Sequence, residues 1–167
     1  AKFTEDLIEF NPVAFFRKDA EGRYLQFNRA WERLTGRVRA EWIGKTAFDL
    51  FPPDEARAYA ALENELLAHP ERIERTETTL TAADGSVYDV IVSKAAVRRA
   101  DGSVMGIIGT VTDVTETRRL TAQNEFQREQ LALVNQSAQA GVWDIEWPEG
   151  KAYFSPRYFE MLGYQQT

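Results

Sequence analysis

Two Asp-Gly pairs, Asp84-Gly85 and Asp101-Gly102, punctuate three β-rich runs, and no other feature of the chain narrows its fold as far. The runs are "RIERTETTLT", "SVYDVIVSKAAV" and "SVMGIIGTVTDV", joined through "AADG" and "RRADG". Asp-Gly between alternating apolar residues signals a hairpin, because a tight turn needs positive φ and glycine supplies it without a Cβ clash. Two hairpins in succession predict a three-stranded antiparallel meander.

Upstream, "VAFFRKD" and "RYLQFN" read as two more strands around "AEG", where Asp19 can accept backbone N–H bonds and Gly22 tolerates positive φ. Helical signals surround them. "TEDLIEFNP" starts at Thr4 as N-cap and stops at Pro12; Asn28 caps "RAWERLTG", which Gly36 ends. Short helical pieces follow through "RAEWIGKTAFDLFP", and Asp54 is the expected cap of a longer helix, "PPDEARAYAALENELLAHP", ended by Pro70. Two strands, several helices, then three strands make an α+β fold, with the helices segregated from one antiparallel sheet.

The segment "GTVTDVTETRR" runs a strand into a helix with no loop between. The helix, 117–140, is polar and lacks Gly and Pro. Thr117, Asn124, Leu131 and Ala138 share one heptad position and Leu120, Gln127 and Val134 its partner, a stripe too polar for a self-sufficient coiled coil. Residues 141–167 then repeat the opening order: Phe27-Asn28 and Trp31 up to Gly36 correspond to Phe154-Ser155 and Tyr158 up to Gly163. Trp143, Trp147, Tyr153, Phe154, Tyr158 and Phe159 lie in a piece too short to bury them by itself, and are expected to pack on the linker helix, the first domain or another chain.

Several functions find no support in the residues. A net charge of −6 weighs against a nucleic-acid partner, which needs a clustered basic face. No run approaches the roughly 18 apolar residues of a membrane span, and no secretion signal is present, so no membrane contact and a cytoplasmic location are expected. The absence of cysteine removes disulfides, thiolate chemistry and cysteine-ligated zinc. No metal cluster, Gly-Lys-Ser/Thr phosphate loop or serine elbow stands out, and the chain is not expected to be an enzyme.

The ordered set "KDAEGRYLQFNRAWERLTG", "EWIGKTAFDLFPPDEA", "AADGSVYDVIVSKA" and "RADGSVMGIIGTVTDVTE" resembles the PAS sensory-domain family of bacterial signalling proteins, over about residues 11–116. The resemblance implies a five-stranded antiparallel sheet with short helices and one longer helix on one face, enclosing a pocket. Residues 1–10 would be an N-terminal helix, 117–140 a signalling helix, and 141–167 the start of a second such domain. It also implies that the Asp-Val-Thr-Glu junction passes changes from sheet to helix, with Asp113 and Thr115 as caps and Glu116 near the helix N-terminus; the same residues also suit a plain capped start.

The light-sensing relatives place a cysteine where this chain has Ala47, so cysteinyl–flavin chemistry is excluded. Heme ligation through His69 is not expected, because a histidine directly before Pro70 suits the last carbonyls of its helix. Strand alternation puts Lys94 in register with Val90 and Val92, and Lys18 with Phe16. Either these lysines bind a carboxylate or phosphate of a small organic ligand, or they form an internal ion pair with Glu63, Glu77 or Asp49; Lys18 can also snorkel to the strand end. The remaining expected lining is Phe16, Trp31, Leu34, Ile43, Phe48, Leu50, Leu66, Leu80, Ile107, Gly109 and Val111, with Gly106 and Gly109 permitting close approach in the last strand. The residues equally allow a solid core. The expected function is thus a ligand-responsive module, its expected partners a second copy and a covalently linked histidine kinase or diguanylate cyclase; the alternative is a filled-core dimerisation spacer.

Overall fold

The computed structural model describes residues 2–137, 141, 143–146 and 150–163. The three β-rich runs form β3 (Ile73–Thr81), β4 (Val87–Arg98) and β5 (Val104–Asp113), and the turns between them are built as the Asp-Gly pairs require. Gly85 and Gly102 both take φ 86°, while Asp84 and Asp101 each accept the backbone N–H of the serine two residues on, at 2.9 Å. These turns set a register in which Lys94 faces Gly109 across β4–β5.

The first hairpin, β1 (Ala14–Asp19) and β2 (Tyr24–Phe27), turns on the Asp19 carboxylate, which accepts from the N–H groups of Glu21 and Arg23. Strand β1 pairs with β5, giving one five-stranded sheet of order β2-β1-β5-β4-β3. Glycine makes that pairing possible. A Cβ on Gly109 would stand 2.0 Å from Phe16 Cζ, and one on Gly106 2.1 Å from the Lys18 carbonyl oxygen.

Helices α1 (Lys2–Glu9), α2 (Arg29–Thr35), α3 (Ala47–Leu50) and α4 (Pro53–Ala68) complete the first unit, with a 3-10 turn at Arg39–Glu41. Asn28 does more than cap α2. Fully buried, it accepts from the N–H groups of Trp31 (3.0 Å) and Phe15 (2.9 Å), and its amide donates to the carbonyls of Ile8 and Val13. One side chain so ties α1, β1 and α2 together. Two caps differ from expectation. Helix α1 begins at Lys2, so Thr4 lies inside it, and α4 begins at Pro53, so Asp54 sits in the first turn. Proline suits that first position because its fixed φ is helical and its missing N–H would have no partner there. The core is Ala14, Phe16, Tyr24, Phe27, Ala30, Trp31, Val90 and Val111, with Leu34 and Leu50 packed against it half-buried.

The chain divides into two compact units between Glu116 and Thr117. Helix α5 (Thr115–Ser137) leaves the first, and its heptad residues Leu120, Leu131 and Val134 are exposed; Ala138 lies outside the described residues. The second unit also holds the hairpin β6 (Trp143–Glu146) and β7 (Lys151–Phe154) and the helix α6 (Pro156–Met161), whose cap Ser155 accepts from Tyr158 N as Asn28 does from Trp31 N. Phe154, Tyr158 and Phe159 pack on one another, whereas Trp143 and Tyr153 are exposed in the single chain, which leaves another chain among the expected covers; Trp147 lies outside the described residues. Among the described residues no helix is long and apolar enough to cross a membrane.

The Phe16–Gly109 contact yields a prediction. Gly109→Ala forces the Phe16 ring or the β1–β5 pair to move, and should lower unfolding stability by about 1–3 kcal/mol, read from the urea midpoint. An unchanged midpoint would show that the ring does not rest on the glycine.

Candidate functional site

Period-2 alternation along β4 places Val90, Val92 and Lys94 on the helix-covered side of the sheet, and β1 presents Phe16 and Lys18 to the same side. The two lysines converge on Glu63 of α4. Lys18 Nζ donates to both carboxylate oxygens, at 2.8 and 2.9 Å, and Lys94 Nζ donates to Oε1 at 2.8 Å. All three side chains are buried, with exposures of 1%, 6% and 9% for Lys18, Glu63 and Lys94. Of the candidate counter-ions Glu63 is therefore the one used; Asp49 instead accepts from the Thr46 N–H and hydroxyl.

Two ammoniums on one carboxylate leave a net positive charge in the interior. Aromatic faces offset part of its cost: Lys18 Nζ lies 4.2 Å from the Tyr24 ring centroid and Lys94 Nζ 5.0 Å from that of Tyr59. Burial pushes the Lys18 ammonium below the ordinary lysine range, against the opposing pull of Glu63. Burial likewise raises the Tyr24 phenol above its usual range and pushes Tyr59, which donates to Glu55 at 2.8 Å, up to about 12.

A cavity of about 340 Å³ opens in front of Lys94. The interior is therefore not solid, and the volume falls at the lower end of the roughly 300–1,000 Å³ of small-molecule sites. Its deep wall is Phe16, Tyr24, Trp31, Thr35, Val90, Val111 and Lys94, all buried, and Val92, Trp42, Phe51 and Tyr59 extend it. Arg37, Glu55, Thr78, Thr79 and Thr81 stand exposed around the mouth beside Leu80.

Seven expected lining residues are thus brought together: Phe16, Trp31, Leu80, Val90, Val92, Lys94 and Val111. Others sit elsewhere. Ile43 and Phe48 are 42% and 59% exposed, Ile43 on the irregular segment after the 3-10 turn and Phe48 on α3, whose four residues are too few for a periodicity that tells inside from outside. Lys18, Ile107 and Leu66 are buried but outside the cavity wall, Leu34 and Leu50 back the core, and Gly109 is covered by Phe16. Sequence reasoning missed Tyr24 because the β1–β2 register shifts between Arg17 and Lys18, which puts Tyr24 and Phe27 on one face at a spacing plain alternation forbids. It missed Trp42, Phe51 and Tyr59 although aromatic residues are the usual lining of such pockets.

The far end of β4 holds the strand–helix junction. Asp113 Oδ1 accepts from Thr115 N at 2.9 Å and from the Thr115 hydroxyl at 2.6 Å, while Thr115 Oγ1 accepts from Asp89 N at 2.9 Å. Val114 N donates to the Asp89 carbonyl at 2.9 Å, and Glu116 is exposed in the first turn. The start of α5 is so clipped to the strand that carries Lys94. Among the described residues no group of three or more potential metal ligands occurs, and His69 caps α4 at its C-terminus, exposed and away from the cavity.

Glu63→Gln leaves two buried ammoniums without a counter-charge and should cost about 3–5 kcal/mol, measured by denaturant unfolding at neutral pH. The triple variant Lys18→Met, Glu63→Leu, Lys94→Met should recover most of that loss. A wild-type midpoint for Glu63→Gln would show that the triad is not buried.

Against known proteins, a family model described as the PAS fold matches residues 11–119. The chain is 28% identical over 163 residues to the uncharacterized protein y4lL of Sinorhizobium fredii, covering 96% of this chain and 19% of that protein. It is 28% identical over 131 residues to the C4-dicarboxylate transport sensor protein DctS of Rhodobacter capsulatus, covering 78% of this chain and 20% of that one. The chain thus spans about one fifth of the length of these relatives. The solved PAS domain of Bordetella pertussis BvgS superposes with a TM-score of 0.57 at 26% identity, over 77% of this chain and 96% of that domain.

Proposed function

The chain belongs to the PAS-fold family, and from that premise we propose that it senses a small molecule in the Lys94 cavity and reports occupancy through β4 to α5. The observation that carries this reading is the cavity of about 340 Å³ with a buried, partly committed ammonium in its wall. Similarity to a protein named as a transport sensor supports it. The path is short and rigid: Lys94 and Asp89 lie on one strand, about 17 Å apart at 3.4 Å per residue, and Asp89 holds Thr115. A ligand signals only by binding two states unequally, so movement of Lys94 relative to Glu63 must shift the β4 end that clips α5. In this reading the chain performs no chemistry itself. Its output is a covalently linked domain of histidine-kinase or diguanylate-cyclase type, it works in the cytoplasm, and residues 141–167 open a second PAS domain.

A second reading, a dimerising spacer, draws on α1 and the residue after it, where Phe3, Leu7 and Phe10 are 75%, 57% and 69% exposed at helical spacing. The two are compatible if a homodimer is the sensing species.

Native mass spectrometry of the purified chain, set against its denatured mass, tests the sensing role: a reproducible excess mass is expected. A bare mass from repeated preparations, with no stabilising compound found in a metabolite screen, would leave the spacer reading. For the relay, Thr115→Val removes two hydrogen bonds, each worth about 0.5–1.5 kcal/mol. Amide exchange at Asp89 and Thr115 should quicken while ligand affinity is kept; unchanged exchange would mean that the clip does not hold the helix start.

A further inference from the structure

We infer that the cavity takes a small aromatic carboxylic acid, its carboxylate on Lys94 Nζ and its ring among the aromatic walls; this rests on the sensory reading above. The charge comes first. Lys18 engages both oxygens of Glu63, whereas Lys94 makes a single hydrogen bond to one of them. An ammonium has three donors, so Lys94 keeps two to give. Lys94 is also the member of the triad that lines the cavity; Lys18 and Glu63 stand behind it. The surplus positive charge is thereby presented to the empty space.

The neutral groups of the wall include further donors. Tyr24, Trp31 and Trp42, whose side chains carry a phenol and two indole N–H groups, belong to the same wall, and no hydrogen bond to these groups occurs among the described residues. An indole N–H is a donor only. Carboxylate acceptors are found at the rim alone, where exposed Glu55 already accepts from Tyr59. The hydroxyls of Tyr24 and Thr35 can accept as well as donate, but the charged group of the deep wall is an ammonium, which favours an anion over an amine.

The walls choose the body. Phe16, Trp31, Trp42, Phe51 and Tyr59 present ring surface to the space, which favours a flat apolar group stacked or edge-on. A second cation, Arg37, stands only at the exposed mouth, 5.4 Å from the Trp42 ring and donating to the Thr81 carbonyl at 3.4 Å. A dicarboxylate would therefore place its second charge near the rim and leave the aromatic walls poorly used.

The test uses the 167-residue chain with benzoate, phenylacetate and indole-3-acetate, each against its neutral amide, and with succinate as the ring-free acid. Tryptophan fluorescence reports occupancy beside Trp31 and Trp42, and the thermal midpoint reports stabilisation. At least one aromatic acid should bind tenfold or more tighter than its amide and tighter than succinate. Lys94→Met should erase the preference and Lys94→Arg retain it, while the Met variant still melts cooperatively because Glu63 keeps both bonds to Lys18. Equal binding of acid and amide, a preference that survives Lys94→Met, tighter binding of succinate, or no binding by any acid overturns the inference. A neutral or ring-free molecule in the native mass spectrum would overturn it and leave the sensory reading standing; no bound mass and no binding would remove both.

Discussion

The first unit is organised around one carboxylate held between two ammoniums. Glu63 is the link between α4 and the sheet, reaching Lys18 on β1 and Lys94 on β4, strands that lie on either side of β5. Burying three charged groups is expensive, and apolar residues of the same size would stabilise the fold at least as well. What apolar residues would not supply is a fixed attachment of α4 over the sheet while the space beside it stays unfilled. An all-apolar contact would tend to collapse into that space, because every void forfeits dispersion contacts. The ion triad gives α4 a defined seat without needing the cavity to close.

Gly109 is the complement to that triad. It lies opposite Phe16 in β1 and opposite Lys94 in β4, at the middle of the sheet where three inward side chains would otherwise crowd. Removing the central one lets the Phe16 ring lie over the backbone and leaves Lys94 room beside it. The arrangement explains why a strand otherwise rich in β-branched residues tolerates a glycine that costs it intrinsic stability. Packing and electrostatics are thus set by the same few positions: the ring, the glycine and the lysine share one rung of the sheet.

Legibility in the sequence follows how local each cause is. The meander was readable because Asp-Gly turn chemistry acts within four residues, and the inward aim of Lys18 and Lys94 because strands alternate strictly. The insertion of β1 beside β5 was not readable from local signals, since its register depends on Gly106 and Gly109 some ninety residues away in the chain. The family resemblance implies a single five-stranded sheet and leaves its strand order open. Tyr24 escaped because a register shift breaks the alternation. Ile43 was misplaced because residues 36–46 have no long regular element to give it a phase, and Phe48 because the four-residue α3 is too short to give it one. The partner of the lysines stayed open among three acids, for a strand pattern gives a side chain's direction and says nothing of which helix turn lies above it.

The junction at 113–116 gains its meaning from the strand it is fastened to. Asp113 caps α5 from β5, but the Thr115 hydroxyl also accepts from the Asp89 N–H of β4, so the first helical turn is bonded to two neighbouring strands. A helix start held by one strand could pivot about it; one held by two must follow their relative displacement. Strand β4 is also where Lys94 meets Glu63, and its backbone between Lys94 and Asp89 is hydrogen-bonded on both sides, to β3 and β5. A strand bonded on both edges moves as a rod. The start of α5 is therefore attached, with no loop between, to the same stiff strand that carries Lys94.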